Sequence, residues 1–307
     1  LKVLVTGGAG FIGSHIVDLL VEDNCRVAVV DDLSTGSFEN VNAGVNFYHL
    51  KVEEGGLEEA VAREKPEVVL HQAAQVDVQR SLREPLADAE INILGSVNLL
   101  EACRRHGVGK VVYASSAAVY GNPAYLPVDE AHPVAPQSPY GVSKHTVEDY
   151  LRIYRENYGI DYTVLRYANV YGPRQDASGE GGVVAIFVDR LLKGEPPRIF
   201  GDGEQTRDFV YVKDVAAANL AAFRRGDGMV LNVSTGAGLS VNGLFQALKE
   251  TTGSGLAPMY RPPRPGDITH SRLANAAARQ ALEWRPRYSL AEGLRETVEY
   301  CKKAGIS

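Results

Sequence analysis

The chain has 307 residues, 45% of them apolar, and a formal net charge of −6 at pH 7, enough to bury a core of one or two domains. The acidic balance and the lack of any basic run argue against nucleic acid or an anionic membrane as partner, which leaves a small molecule. Cys25, Cys103 and Cys301 are odd in number, far apart and form no CxxC pair, so they read as reduced thiols of a cytoplasmic protein, and no segment has the apolar length of a membrane span.

Lys2–Thr6 reads as a buried strand, and Thr6-Gly-Gly-Ala-Gly-Phe-Ile-Gly13 follows it at the opening of a helix. In that setting Gly7 permits the tight turn, Gly10 lets backbone approach a pyrophosphate and Gly13 allows close helix–strand packing, while the helix N-terminus attracts the phosphates. The next strand, Arg26–Asp31, ends on an acid at about the twenty-residue distance expected of a carboxylate that binds adenosine ribose. Asp32 follows it and no Arg or Lys stands nearby to receive a 2′-phosphate, so the expected dinucleotide is NAD rather than NADP. Strand-like runs at 68–70, 110–114 and 162–166 alternate with helix-length stretches. The expected fold class is therefore α/β, a doubly wound parallel sheet of Rossmann type covered on both faces.

Two of the helical stretches, 87–106 and 140–158, carry apolar side chains on more than one face: Ile91, Leu94, Val97, Leu99 and Leu100 in one, Val147, Leu151, Tyr154 and Tyr158 in the other. One such stripe covers a sheet, and the second leads us to expect a homodimer. The strand at 110–114 leads into Ser115-Ser116, which puts Ser116 at a strand's carboxyl end, where ligands bind in open α/β sheets. Tyr140-Gly-Val-Ser-Lys144 opens the second helix, and positions i and i+4 share a face, so the lysine charge is expected to favour a deprotonated Tyr140. Bringing a phenol from its ordinary value near 10 to neutrality takes roughly 4 kcal/mol, more than one lysine supplies. The nicotinamide ring of bound NAD⁺ would be the second cation.

After about residue 169 the pattern loosens. Gly179-Glu-Gly-Gly182 and Arg261-Pro-Pro-Arg-Pro-Gly-Asp267 read as loops around a smaller lobe, and Asp208-Phe-Val-Tyr-Val212 with the helix after it reads as a return to the larger one. The expected division is 1–168 with about 208–235 for the dinucleotide, and about 169–207 with 236–307 for the substrate. His71, at a strand end, reads as structural rather than catalytic, and the histidines make no metal-ligand cluster.

Thr6–Gly13, Asp31, His71-Gln-Ala-Ala-Gln75, Asn92, Ser115–Gly121, Tyr140–Lys144 and Arg166-Tyr-Ala-Asn-Val-Tyr-Gly-Pro173 together resemble the extended short-chain dehydrogenase/reductase family over essentially the full length. Within it, Ile199-Phe-Gly-Asp-Gly203, Thr206-Arg-Asp-Phe-Val210 and Arg264-Pro-Gly-Asp267 look most like the nucleotide-sugar enzymes of the UDP-glucose 4-epimerase group. The resemblance implies that Ser116, Tyr140 and Lys144 are a catalytic trio. It implies cofactor contacts from Gly7, Gly10, Phe11, Ile12 and Gly13, from Asp31, Asp32, Thr35 and Gly36, and from Gln72, Ala73, Ala74 and Gln75. Asn92, Ser115, Tyr140, Lys144, Tyr167 and Val170 would complete that set. For a UDP-sugar it implies Asn169, Arg207 and Arg264 on the diphosphate, Asp267 on the ribose, and Ile199 with Phe200 at the base. Val183, Ser116 and Tyr140 would lie along the rest of the substrate.

Lys51 stands where this family commonly has an aspartate near the adenine, which leaves backbone contacts from Lys51 and Val52. Ala118 stands where related dehydratases and decarboxylases usually place an acid, and alanine transfers no proton. Ser271 falls in a region resembling the sugar-pocket wall, where a small residue would admit an N-acetylated sugar. The implied reaction is NAD-dependent, metal-free 4-epimerisation of a UDP-hexose through a transient 4-keto sugar. Alternatives are a UDP-N-acetylglucosamine or UDP-glucuronate 4-epimerase, a UDP-glucuronate decarboxylase, a 4,6-dehydratase, or an NAD-sensing module without turnover.

Overall fold

The computed structural model describes residues 1–177, 182–263 and 268–305. Its first half alternates strands β1 (Lys2–Thr6), β2 (Arg26–Asp31), β3 (Asn46–His49), β4 (Val68–His71), β5 (Lys110–Ser116) and β6 (Asp161–Tyr167) with helices. These helices are α1 (Phe11–Glu22), α2 (Gly56–Glu64), α3 (Val78–Arg83), α4 (Pro85–Ala89), α5 (Gly95–His106) and α6 (Pro139–Tyr158). The second half holds β7 (Asn169–Tyr171), α7 (Val183–Leu192), β8 (Arg198–Phe200), β9 (Thr206–Arg207), β10 (Phe209–Tyr211) and α8 (Val212–Ala222). It continues with β11 (Met229–Val233), β12 (Leu239–Ser240), α9 (Val241–Thr252), β13 (Met259–Arg261), α10 (Ala276–Ala281) and α11 (Leu290–Lys303).

Seven strands make the central sheet in the order β11-β6-β5-β4-β1-β2-β3, every pair parallel. Consecutive side chains leave opposite faces, so Leu4, Val30, Val111 and Val164 pack under Leu57, Leu99 and Leu151. Val3, Val5, Val29, Val112 and Leu165 meet Ile16, Leu20, Val215 and Ala218 on the other side. The chain runs outward from β1 to β3, then crosses back to β4 and continues the other way. The crevice at the carboxyl ends of β1 and β4 is thus the switch point of the sheet, where such folds bind ligands.

Two local features matter for the site. Between α4 and α5 the helix widens into one π turn, Glu90–Leu94, which carries Asn92 at 2% exposure. Helix α6 starts where Ser138 Oγ accepts the Gly141 N–H (3.1 Å) ahead of Pro139, and ends on Gly159 at φ 72°.

The segment at 208–212 pairs its strand, β10, with β7 in a separate two-stranded sheet, while Val210 and the helix after it, α8, pack in the core shared with α1. The strand that rejoins the large sheet is β11, beside β6. Smaller parallel and antiparallel pairs, β13 with β8 and β12 with β9, belong with α7, α9 and α11 around a second core of Phe187, Ile199, Phe245 and Leu294.

Candidate active site

The turn after β1 is shaped by what a side chain would strike. Gly7 has φ +69°, and a Cβ there would lie 2.6 Å from the Ala73 nitrogen; one on Gly13 would lie 2.0 Å from the Gly7 carbonyl oxygen. On Gly10 a Cβ would meet only the Gly7 oxygen, at 3.3 Å, so its outer side is open to a ligand. Helix α1 then begins at Phe11 and Ile12 with no side-chain cap and no acid in its first turn, which leaves backbone N–H groups for an anion.

Asp31 closes the far side. Its Oδ2 accepts the Ala9 N–H (2.9 Å) and its Oδ1 the Leu33 N–H (2.8 Å), while burial pushes its carboxyl above the usual range and these donors oppose the rise. Asp32 Oδ1 accepts both the N–H (3.0 Å) and the hydroxyl (2.6 Å) of Ser34. Gly36 comes close enough that a Cβ would lie 3.1 Å from Asp31 Oδ1, and Thr35 beside it is exposed. Lys51 is exposed, whereas Val52 is buried and its carbonyl accepts Asn98 Nδ2 (2.8 Å).

His71 is structural, as read from the sequence. Ser96 Oγ donates to the Asn92 carbonyl (2.5 Å), so His71 Nε2–H donates to Ser96 Oγ (2.9 Å) and Nδ1 accepts the Thr6 hydroxyl (2.7 Å). Burial and the Lys144 charge push the ring down to about 3, and it stays neutral. The loop beyond it is tied in place: Gln72 Oε1 accepts the Tyr167 hydroxyl (3.2 Å), Ala73 N–H reaches Thr6 Oγ1 (3.3 Å), and Gln75 N–H bonds Asn92 Oδ1 (2.8 Å). Ala74, between them, is half-buried. Tyr167 is 6% exposed, its hydroxyl also held by Asn219 (2.8 Å).

At the end of β5, Ser116 Oγ accepts the Ala118 N–H (3.2 Å) and faces the first turn of α6. Tyr140 is pushed up to about 12 by burial, with the Ser116 hydroxyl opposing and Asp88 adding to the rise. Lys144 Nζ donates to the Ala114 carbonyl (2.9 Å) and lies 5.1 Å from the Tyr113 ring centroid and 5.9 Å from that of Tyr140. Within the chain alone, desolvation outweighs the Ser116 hydrogen bond at the phenol. Burial also pushes Lys144 down to about 8.

Three groups escaped the sequence reading. Glu148, one turn past Lys144, accepts Ser115 Oγ (2.5 Å), Arg166 Nε (3.0 Å) and Arg166 Nη2 (2.5 Å), so one buried carboxylate clamps α6 to the ends of β5 and β6. Asp88 lies beneath Asn92, and Tyr113 lies under the lysine. The i+4 spacing of Lys144 and Glu148 was a visible signal; the partner in β6 was not.

On the substrate side, Asn169 is exposed at the start of β7, next to half-buried Val170, and Val183 opens α7. Arg207 Nη1 donates to the Thr206 carbonyl (2.9 Å), and Ser271 N–H bonds the same carbonyl (3.0 Å), which sets Ser271 beside Arg207. Phe200 is half-buried at the end of β8. Ile199 is 1% exposed within the second core, so its side chain packs there rather than against a base. Arg264, Asp267 and the Gly-rich stretch 179–181 lie outside the described residues.

The profile of the NAD dependent epimerase/dehydratase family matches residues 3–234. The chain belongs to this family. It is 46% identical over 307 residues to a UDP-glucose 4-epimerase of Mycolicibacterium smegmatis, with 98% of each chain covered. Among solved structures it is similar to the Thermotoga maritima UDP-glucose 4-epimerase with UDP-glucose, at TM-score 0.97 and 50% identity with 99% of both chains covered. It is likewise similar to the Thermus thermophilus UDP-glucose 4-epimerase in complex with NAD, at TM-score 0.94 and 45% identity over 99% of this chain and 100% of that one.

The residues fit the family's dinucleotide. The close approaches at Gly7 and Gly13 leave no room for a Cβ, the α1 N-terminus is uncapped, and the second Asp31–Asp32 carboxylate repels an extra phosphate. Gly13→Ala is expected to overpack the turn by about 1–3 kcal/mol and to cost the protein its bound NAD, read as dinucleotide released from purified protein on denaturation. Retention equal to the parent would remove this loop from the cofactor site. Among the described residues, no helix is long and apolar enough to cross a membrane, and no cluster of His, Cys, Asp and Glu could hold a metal ion.

Proposed function

We propose that this chain is an isomerase that interconverts UDP-hexose 4-epimers, UDP-glucose and UDP-galactose, through a transient 4-keto sugar. NAD supplies the electron-pair acceptor and donor for the sugar carbon. Tyr140 takes the proton of the sugar 4-hydroxyl and later returns it, and Ser116 bonds the same oxygen. Because burial, with the Asp88 charge adding to it, holds the phenol near 12, its deprotonation depends on positive charge arriving beside it, from Lys144 and from the cofactor side. The 4-keto sugar must turn its other face, which calls for firm nucleotide anchoring and loose sugar contacts. Arg207 and Asn169 are the proposed diphosphate clamp, together with Arg264 and Asp267, while Ala118 and Ala168 are small next to the reacting end.

The observation that carries this reading is the approach of Ser116, Tyr140 and Lys144 at the carboxyl end of β5, on the sheet that bears the glycine turn. Ala118 offers no proton for elimination or decarboxylation. Incubation with UDP-galactose, UDP-N-acetylgalactosamine and UDP-glucuronate tests it. UDP-glucose formed from the first supports the reading; carbon dioxide from the last, or no conversion of any 4-epimer pair, defeats it. Ser271 beside Arg207 supports a second arm, in which the N-acetylated sugar is also turned over.

We divide the chain into a dinucleotide lobe, 1–168 with about 208–235, and a nucleotide-sugar lobe, about 169–207 with 236–307. The proposed assembly is a homodimer through the outer faces around α4 and α6, where Leu86 is 85%, Leu94 62%, Val142 49% and Ile153 41% exposed. A monomer by sedimentation would overturn it. The free thiols of Cys25, Cys103 and Cys301 suit the cytoplasm, the location we propose.

A further inference from the structure

Asp88 is 1% exposed, and its Oδ1 accepts Gln75 Nε2 (2.8 Å) and Asn92 Nδ2 (3.1 Å). Two neutral amides bond this oxygen but leave the carboxylate's charge to be balanced through space, a costly arrangement out of water. The cluster leads directly to the reacting groups. Asn92 Nδ2 also reaches Ser143 Oγ (3.1 Å), Ser143 Oγ donates to the Tyr140 carbonyl (3.0 Å), and Ser143 immediately precedes Lys144. Helix α4, which carries Asp88, packs on α6, which carries Tyr140 and Lys144.

We propose that Asp88 is a positioning residue: its buried carboxylate is the counter-charge of the Lys144 ammonium across the α4–α6 contact, and its field tunes Tyr140 without touching substrate. The inference rests on the epimerase reading above. Its electrostatics run in one direction. Burial drives Lys144 down to about 8, and Asp88, then Glu148, are the groups that hold it up; the same Asp88 charge adds to the rise of Tyr140.

The other titratable groups facing the cluster keep one form, and His145, raised by its bond to Glu148, meets that carboxylate rather than Asp88 or Lys144. His71 from β4 stays neutral, Tyr113 from β5 is pushed well above its ordinary value by burial, and Glu148 from α6 is held ionised by His145 and Arg166. Arg80 and Arg83 on α3, and Glu84 between α3 and α4, are exposed to solvent. Within the working range, therefore, Asp88 is felt by Lys144 and Tyr140.

Removing its charge lowers both. Lys144 then loses its proton at lower pH, which moves the alkaline limb of kcat/KM toward acid. Tyr140 becomes the stronger acid, which moves the acid limb the same way. The whole profile translates to lower pH, whereas a defect of packing alone lowers its height in place.

Asp88→Asn keeps the volume and an oxygen able to accept both amides; Asp88→Ser is a second neutral variant should the first fold poorly, and Asp88→Glu retains the charge. We expect both neutral variants to shift the profile by about one pH unit toward acid and Asp88→Glu to leave it in place. Ultraviolet difference titration of the phenolate, with Tyr140→Phe as blank, should move by the same amount and in the same direction. An unshifted profile and an unshifted phenolate titration in the neutral variants would overturn the role of Asp88. If the parent converts no epimer pair, the epimerase reading falls instead, and the phenolate titration alone decides Asp88.

Discussion

Tyr140→Phe is expected to leave the fold intact and to lower turnover of UDP-galactose by about 10²- to 10⁴-fold, the contribution of one positioned acid–base group. The change removes a single oxygen from a half-buried ring. The α6 backbone does not depend on it, because the helix is fixed by Ser138 at its start and by Val147 and Leu151 in the core. What is lost is the hydroxyl beside Ser116 that is proposed to take a proton from the sugar. Thermal melting should therefore match the parent, and bound NAD should be retained, while the rate collapses. Full activity would remove Tyr140 from the mechanism.

The second large effect is on stability. Glu148 and Arg166 are each 5% exposed at the side chain, and Glu148→Ala strands a guanidinium in the core, at a cost of about 3–5 kcal/mol. The double variant Glu148→Ala/Arg166→Met should recover much of that, since an apolar pair can replace a buried ion pair at little cost. Urea midpoints measure both. Near-equal midpoints for single and double variants would show that the ion pair is not what holds α6 to the sheet.

The pH dependence has a definite sign. Burial raises the Glu148 carboxyl, but hydrogen bonds from His145, Arg166 and Ser115 outweigh it and leave the group below its ordinary value. Its contribution is thus fully present above the usual carboxylate range and is lost as pH falls through the depressed folded value. The stability gap between parent and Glu148→Ala should close in acid.

Much of this was legible in the chain. The continuous apolar runs of β1, β2, β4, β5 and β6 appear where the sequence places them, because strands buried on both faces admit few polar residues. Strand β3 escaped because it lies at the sheet edge, with Asn46 and His49 exposed; β11 escaped because buried Asn232, bonded to Tyr120 and Val128, interrupts its apolar run. The run at 208–212 was read as a return to the larger lobe, and its strand pairs with β7 in a sheet of its own, since local pattern carries no information on pairing partners.

The site divides the same way. The glycine turn, Asp31, Ser116 and the Tyr140–Lys144 pair follow from spacing, whereas the Glu148–Arg166 clamp joins residues eighteen apart through the tertiary fold. Burial could not be read at all, and it raises Tyr140 against the Ser116 hydroxyl that opposes it. Asp88 shows the same limit, an acid four residues before Asn92 that looks like a solvated helix charge until the core closes over it.

In the proposed reaction the sugar is oxidised and reduced at C4 with its carbon-bound hydrogen kept within the enzyme. Conversion of UDP-galactose in deuterated water, followed by proton magnetic resonance, tests this most directly. The expected product is UDP-glucose that carries no deuterium at C4. Deuterium at that carbon, or no UDP-glucose at all, would contradict it.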